Sequence, residues 1–212
     1  MKTLFLDTSS FYINIATSDN DKIVVHHQEK NDQKLSERIF FLIEDVIEKS
    51  NFLLSDIDKI YVVNGPGSFT GIRVGITIAK TLAWNLKIPI CTISTLMMMS
   101  SGYKETTIPL IKDRNGFVYS GLYNEEAMKS NDIYIKLEEL VISNKKYKFL
   151  SYEEVEGVEV FEPKVDIIEI IKKFKDEKEN VHSVKSNYIK KMDVEKWSGS
   201  LMFLIRNMLR HL

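Results

Sequence analysis

The chain begins with a short apolar run over residues 3–7 that ends in Asp7 and is followed by the turn cluster Thr8-Ser9-Ser10. Phe11 to Ala16 forms a second run of strand character, Asp19-Asn20-Asp21 marks a turn, and Ile23-Val24-Val25 starts a third strand leading into His26 and His27. Three short runs joined by tight turns predict an antiparallel meander. From residue 35 the period changes. Leu35, Ile39, Leu42, Ile43, Val46 and Ile47 recur at helical spacing, with Glu44, Asp45, Glu48 and Lys49 opposite, which predicts a helix over 35–50 with Asp32 as its N-cap.

Ser55-Asp56-Ile57-Asp58 has the form of a capping box opening a brief helical turn. The β-branched run Ile60-Tyr61-Val62-Val63 predicts a strand, and Asn64-Gly65-Pro66-Gly67-Ser68-Phe69-Thr70-Gly71-Ile72-Arg73-Val74-Gly75 follows it. A helix from about Thr70 to Leu86 is apolar on two rows, one of Ile72, Ile76, Ala79 and Ala83 and the other of Val74, Ile78, Leu82 and Leu86. A helix apolar nearly all round is either deeply buried or an interface. Gly75 lets another backbone come close to it, at ~1 kcal/mol of helix propensity. A strand over 88–93 and a short helix from Leu96 complete the first half.

The second half opens as the first does. Residues 108–112 lead to Asp113, then Arg114-Asn115-Gly116, then a strand over 117–123, and Asn-Gly is a strong hairpin signal. Laid on residues 4–16, Asp113 falls on Asp7 and Phe117 lands within one place of Phe11, an internal repeat that predicts two related lobes. Strand candidates follow near 132–136, 147–150 and 158–162, and Pro163 introduces a helix carrying Ile167, Ile170, Ile171 and Phe174. In the tail, Trp197, Leu201, Leu204, Ile205, Met208 and Leu212 share a helical face with Arg206 and Arg210 away from it. The expected arrangement is docking onto the chain's own core, with a partner helix or a membrane surface as alternatives. The expected division is a first lobe over 1–104 and a smaller second lobe over 105–212.

Composition narrows the class. The 212 residues are 44% hydrophobic and 28% charged, as in globular proteins, and the net charge of -1 leaves nucleic-acid contact to a local patch or a partner. The single cysteine, Cys91, excludes an intrachain disulfide and fits a reducing compartment. No signal peptide or membrane-spanning run is read, so a cytoplasmic protein is expected.

Strand, glycine-rich turn and helix is the order that points backbone amides at a phosphate. The turn departs from both common templates. No lysine stands at the helix start as in a P-loop, and the third glycine, Gly71, is one place late for a dinucleotide fingerprint. Spacing favours glycines serving a tight turn. Asp7 beside Thr8, Ser9 and Ser10 offers a carboxylate and hydroxyls to a magnesium phosphate, against the commoner role of capping its own turn. Together Asp7, Thr8, Gly65, Gly67 and Thr70 are the candidate, vestigial nucleotide site. His26 and His27 point to opposite faces of a strand and no metal site is read; Cys91 reads as a buried small hydrophobe, and no catalytic set assembles.

Leu6-Asp7-Thr8-Ser9, the block Gly65–Gly75 and Ser94-Thr95-Leu96 resemble the bacterial TsaB (YeaZ) family. Asp113 to Tyr119 is similar to that family's second-lobe hairpin, and Asn187-Tyr188-Ile189-Lys190 to its closing Pro-x-Tyr-Leu-Arg segment, with Ser186 and Lys190 as departures. The resemblance is dense over residues 1–123. It implies an α/β, actin-like ATPase (ASKHA) fold of two ribonuclease-H-like lobes, mixed sheets flanked by helices. It also implies a non-catalytic partner of a TsaD-type transferase in making threonylcarbamoyl-adenosine in tRNA, with a TsaE-type ATPase joining the pair. TsaD-type members bind metal through histidines on the helix after the third strand, and residues 34–39 here contain none. No cofactor is expected on this chain, whereas ATP or ADP and metal are expected on the partners, with tRNA met through the complex and no membrane contact.

The family implies an interface on the first two long helices, for the transferase or for a homodimer. Leu35, Ile39, Leu42, Ile43, Ile72, Gly75, Ile76, Ala79 and Ala83 are the expected interface residues, the second helix's surplus apolar row being surface a monomer leaves wet. The rivals are a small kinase or protease-like enzyme of the same fold, and a free-standing nucleotide-binding module using Asp7 and Gly65–Gly71.

Overall fold

The computed structural model describes residues 1–31, 35–124, 132–187 and 189. The first sheet is built from β1 (Lys2–Asp7), β2 (Tyr12–Asp19), β3 (Lys22–Lys30), β4 (Lys59–Gly65) and β5 (Ile90–Ser94), in the order β3-β2-β1-β4-β5. β1, β2 and β3 pair antiparallel as the expected meander, and β4 and β5 add in parallel. Parallel neighbours need crossovers, and the two helical stretches supply them: α1 (Leu35–Lys49) and α2 (Phe69–Leu86).

Alternation along the strands sorts the core into two layers. Leu4, Leu6, Ile13, Ile15, Ile60, Val62 and Ile90 meet α1 and α2 on one face. Phe5, Ala16, Tyr61, Val63, Cys91 and Ile93 meet α3 (Thr95–Ser100) and α5 (Ile167–Lys173) on the other. Covered on both sides, β1 and β4 read in sequence as nearly unbroken apolar runs. Cys91 is buried here.

The second sheet repeats the first. β6 (Thr107–Lys112), β7 (Phe117–Ser120), β8 (Ile133–Lys136), β9 (Lys148–Leu150) and β10 (Val160–Phe161) lie in the order β10-β9-β6-β7-β8. β6, β7 and β8 are antiparallel, and β9 and β10 add in parallel, the same topology element for element. The Asn115-Gly116 turn between β6 and β7 has both residues at positive φ, 59° and 73°. One element has no counterpart: where α2 links β4 to β5, residues 151–159 link β9 to β10 without a helix. The short α4 (Leu137–Ser143) stands where α1 stands and packs into this lobe's core through Leu140.

After α5 the chain turns back to the first sheet. Lys59, 1% exposed, donates from Nζ to the carbonyls of Phe174 (2.6 Å), Lys175 (3.0 Å) and Glu177 (2.6 Å) and so caps the C-terminus of α5. Burial lowers its pKa. Glu179 pairs with Ile90 at the β5 edge, its Oε1 accepting from the backbone N of Thr92 (2.6 Å) and its Oγ1 (2.7 Å). Val184 joins the α1/α2 core. Among the described residues, no helix is long and apolar enough to cross a membrane. The expected Asp32 cap, Tyr188, Lys190 and the tail Trp197–Leu212 lie outside the described residues.

Candidate functional site: the glycine turn and the faces of the two long helices

The turn after β4 is filled by the chain itself. A Cβ on Gly71 would stand 1.9 Å from the carbonyl oxygen of Thr8, one on Gly67 2.3 Å from that of Ser9, and one on Gly75 2.4 Å from Thr8 Oγ1. The backbone N of Ser68 donates to Ser9 O at 2.8 Å, and Thr8 Oγ1 donates to Gly71 O at 2.7 Å. The glycines are thus the seam along which the first turns of α2 press on the β1–β2 turn. Gly65 has a separate reason, its φ of +108°. Ser68 caps α2, its Oγ accepting from the backbone N of Gly71.

Asp7, fully buried, spends its carboxylate on its own turn. Oδ1 accepts from the backbone N of Ser9 (2.9 Å), Ser9 Oγ (2.9 Å) and the backbone N of Ser10 (3.2 Å). Oδ2 accepts from Ser10 Oγ and from Asn14 Nδ2 at 3.3 Å. Burial pushes the carboxyl pKa up, and these bonds oppose the shift. Of the candidate nucleotide set, Asp7, Thr8 and Gly67 meet at this seam, Gly65 lies against Ile72 and Asn187, and Thr70 stands exposed on the first turn of α2. The polar groups of Asp7 and Thr8 and the space beside Gly67 and Gly71 go to internal contacts, so this seam does not fit a magnesium phosphate.

Tyr152 and Asp132 each join the two halves of the chain. Tyr152, from the helix-less 151–159 link, stacks on Phe11 (centroids 5.6 Å apart, 16°) and meets Tyr12 edge-on. Asp132 gathers donors from both lobes, accepting from Ser94 Oγ (2.7 Å), Tyr123 OH and Asn187 Nδ2 (2.7 Å). Its pKa is raised by burial against these bonds. His26 and His27 face opposite ways, His26 Nε2 lying 3.2 Å from Asn14 Oδ1 and His27 Nε2 3.2 Å from Glu29.

The nine residues expected at an interface pack within the chain. Leu35, Ile39, Ile43, Ile72, Gly75, Ile76, Ala79 and Ala83 are all buried within the chain, and Leu42 is half-buried against the same core. The row Ile72-Ile76-Ala79-Ala83, at 2%, 7%, 0% and 1% exposure, is not wet in the monomer. The reason is position: α2 crosses the middle of the sheet, flanked by α1 and by the returning segment at Val184, so it is buried on more than one side. The large apolar side chains that the two helices do expose are aromatic. Phe40 (67%) and Phe41 (71%) lie on α1, and Phe69 and Trp84 on α2. Arg73 stacks on Phe69 at 3.9 Å, and Trp84 meets His182 at 4.7 Å. The signal was in Ile39-Phe40-Phe41-Leu42-Ile43, five apolar residues in succession, more than one face of a helix can bury.

A mixed five-stranded sheet, repeated once with the same strand order and carrying its helices on the crossovers, is the two-lobed ribonuclease-H-like arrangement of the actin-like ATPase (ASKHA) class. YeaZ from Pseudomonas aeruginosa superimposes with a TM-score of 0.72 at 19% identity, over 88% of this chain and 99% of that one. The family model described as TsaD, tRNA N6-adenosine threonylcarbamoyltransferase, matches residues 23–193, and the chain belongs to this family, in its TsaB/YeaZ branch. The tRNA threonylcarbamoyladenosine biosynthesis protein TsaB of Bacillus subtilis is 34% identical over 58% of this chain and 55% of its own length. The Escherichia coli protein of the same name is 37% identical over 48% of this chain and 44% of its own. The chain spans about half the length of the curated relatives it matches.

Proposed function

We propose that the chain is a TsaB-type, non-catalytic subunit of the cytoplasmic machinery that makes threonylcarbamoyl-adenosine in tRNA, and that it activates a TsaD-type transferase by pairing with it. The observation that carries the reading is the exposed aromatic surface of α1 and α2 beside a glycine turn packed shut by its own chain. Phe40, Phe41, Phe69 and Trp84 are large apolar side chains of the kind enriched at interface cores. In this reading they replace the buried row as the contact residues, while that row holds the helices in place. ATP or ADP and metal belong to the transferase and to a TsaE-type ATPase, and tRNA is met through the complex. A homodimer through the same helices is the form without a partner.

The test is co-purification with the TsaD-type protein of the same cell, followed by a tRNA modification assay with each subunit alone and with both. Modification is expected only with the pair, and Phe40→Glu or Phe41→Glu is expected to abolish association while circular dichroism stays unchanged. A transferase fully active alone, or a chain that hydrolyses ATP or cleaves a glycoprotein unaided, would overturn it.

A further inference from the structure

One side of α2 carries cations without acids. Phe69, Arg73, Thr77, Lys80 and Trp84 follow one another at three- and four-residue steps, so they line one stripe of the helix. Alongside it the returning chain supplies Val184, Lys185 and Ser186, and the two walls enclose a groove of about 640 Å³. No carboxylate lines this groove, and neither does any residue of α1. We infer that the groove binds the phosphate backbone of a single-stranded stretch of RNA, so that this chain touches the RNA directly. The inference takes from the proposed function only that the RNA is tRNA.

The charges are available. Lys2, Arg38, Lys49, Lys148 and Lys172 each lie against a carboxylate, whereas among the described residues none pairs with Arg73, Lys80 or Lys185. Arg73 rests on the Phe69 ring at 3.9 Å, a contact with its plane that leaves its N–H groups for an anion. Lys80 donates to Val184 O at 3.2 Å and keeps its other two protons. The facing wall is fixed as well. Asn64 Nδ2 donates to Lys185 O at 3.3 Å, and the backbone N of Asn187 donates to Asn64 O at 2.8 Å, which ties the wall to the end of β4.

Shape and flanking groups choose among anions. A free nucleotide is held by burying most of its surface, and this groove is open along its length. Arg73 and Lys80 stand about 10 Å apart along the helix, with the Thr77 hydroxyl between them. Phe69 and Trp84, 54% and 63% exposed, stand at the two ends of the stripe, about 22 Å apart. Cations along a groove with exposed aromatic faces at its ends are the combination that follows a single strand, phosphates on the cations and bases on the rings. The chain's net charge of -1 gives no long-range attraction, so the contact is local and of moderate affinity.

The test is fluorescence anisotropy of a labelled single-stranded RNA 12-mer, and of an unmodified tRNA transcript, titrated with the full chain alone. A dissociation constant of roughly 10⁻⁵ M is expected, with log K falling against log salt at a slope of about -2, from three phosphates at ~0.7 each. Arg73→Gln with Lys185→Gln, both at exposed positions, is expected to weaken binding about tenfold and to bring the slope to about -0.7. Lys104→Gln with Lys145→Gln removes the same charge from exposed positions of the second lobe and is expected to change neither. Trp84→Ala is expected to weaken binding about fivefold with the slope unchanged, the mark of lost stacking.

Absence of RNA binding overturns the inference, as does equal loss in the two double variants. A polyglutamate peptide that displaces the RNA at equal concentration would mean an acidic protein segment, and also overturns it. A chain that binds no RNA but co-purifies with the TsaD-type protein overturns the inference and leaves the partner reading standing. A chain that binds RNA through Arg73 and Lys185 but meets no partner upholds the groove and overturns the partner reading.

Discussion

Gly71→Ala separates packing from ligand binding by the sign of its effect. Alanine is the better helix former by about 1 kcal/mol, so an exposed glycine in the first turns of α2, or one kept for an absent phosphate, would give a stabilised protein. The structure predicts the reverse. The new methyl would lie 1.9 Å from Thr8 O and 2.9 Å from Thr8 C, backbone atoms of a buried turn, and 3.2 Å from Ser68 Oγ. Relief requires α2 to move off the β1–β2 turn, which lengthens the 2.7 Å bond from Thr8 Oγ1 to Gly71 O and the 2.8 Å bond from Ser68 N to Ser9 O. Overpacking costs about 1–3 kcal/mol, and each buried bond weakened about 1 kcal/mol more. After the helix-propensity gain, a net loss of about 2–4 kcal/mol remains. Urea unfolding followed by circular dichroism measures it, and Tm should fall by roughly 5–15 °C for a chain of this size. Gly75→Ala should cost less, because the atom in its way is the side-chain Thr8 Oγ1, which can rotate. A Gly71→Ala protein as stable as the parent would refute the packing account of the glycine block.

Ala79→Glu, at a position with no exposure, should cost about 3–5 kcal/mol by burying an unpaired charge, whereas Phe41→Glu should leave urea unfolding unchanged and act only on association; a folded Ala79→Glu that merely fails to associate would return the row to the interface. Lys59→Met should cost about 3 kcal/mol and speed amide exchange at the end of α5, because three carbonyls lose their donor; unchanged exchange there would refute the cap. Asp132 has its folded pKa raised by burial, so the native state holds its proton more tightly than the unfolded chain does. The stability of the parent relative to Asp132→Asn should therefore fall as pH rises from the unfolded carboxylate value of about 3.9 through the raised folded value, and level off above it. Urea midpoints across acidic and neutral pH measure this, and a difference that grows with pH contradicts the sign.

Local chemistry made much of the fold legible. The meander, the α1 and α2 periods and the Asn115-Gly116 turn each rest on a few adjacent residues, and the strands of the meander and the two helices start within a residue of where they were expected, although β2 and β3 run three residues further. The repeat of Asp7 and Phe11 in Asp113 and Phe117 was the trace of a duplicated topology. α4 was missed because its few residues have no side-chain cap and only Leu140 is buried. The Asp132 cluster and the Lys59 cap join residues far apart in sequence, so no window along the chain contains them. That the expected interface row is buried within the chain has another reason. Periodicity says which face of a helix is apolar, not what covers it, and here the small residues Ala79 and Ala83 lie against the chain's own core.

The duplication also bears on how the helices of the two lobes differ. Both sheets keep the same strand order, so both began with the same crossovers to fill. In the first, α1 and α2 fill them, and their outer sides carry the exposed aromatics. In the second, α4 is a seven-residue helix and the α2 equivalent is the 151–159 link, whose Tyr152 turns inward onto Phe11 and Tyr12. A link without a helix has no helical face to present, and its aromatic residue packs onto the first sheet instead. Where the first lobe has the glycine turn and α2, the second has this link, and its Tyr152 packs against the first sheet.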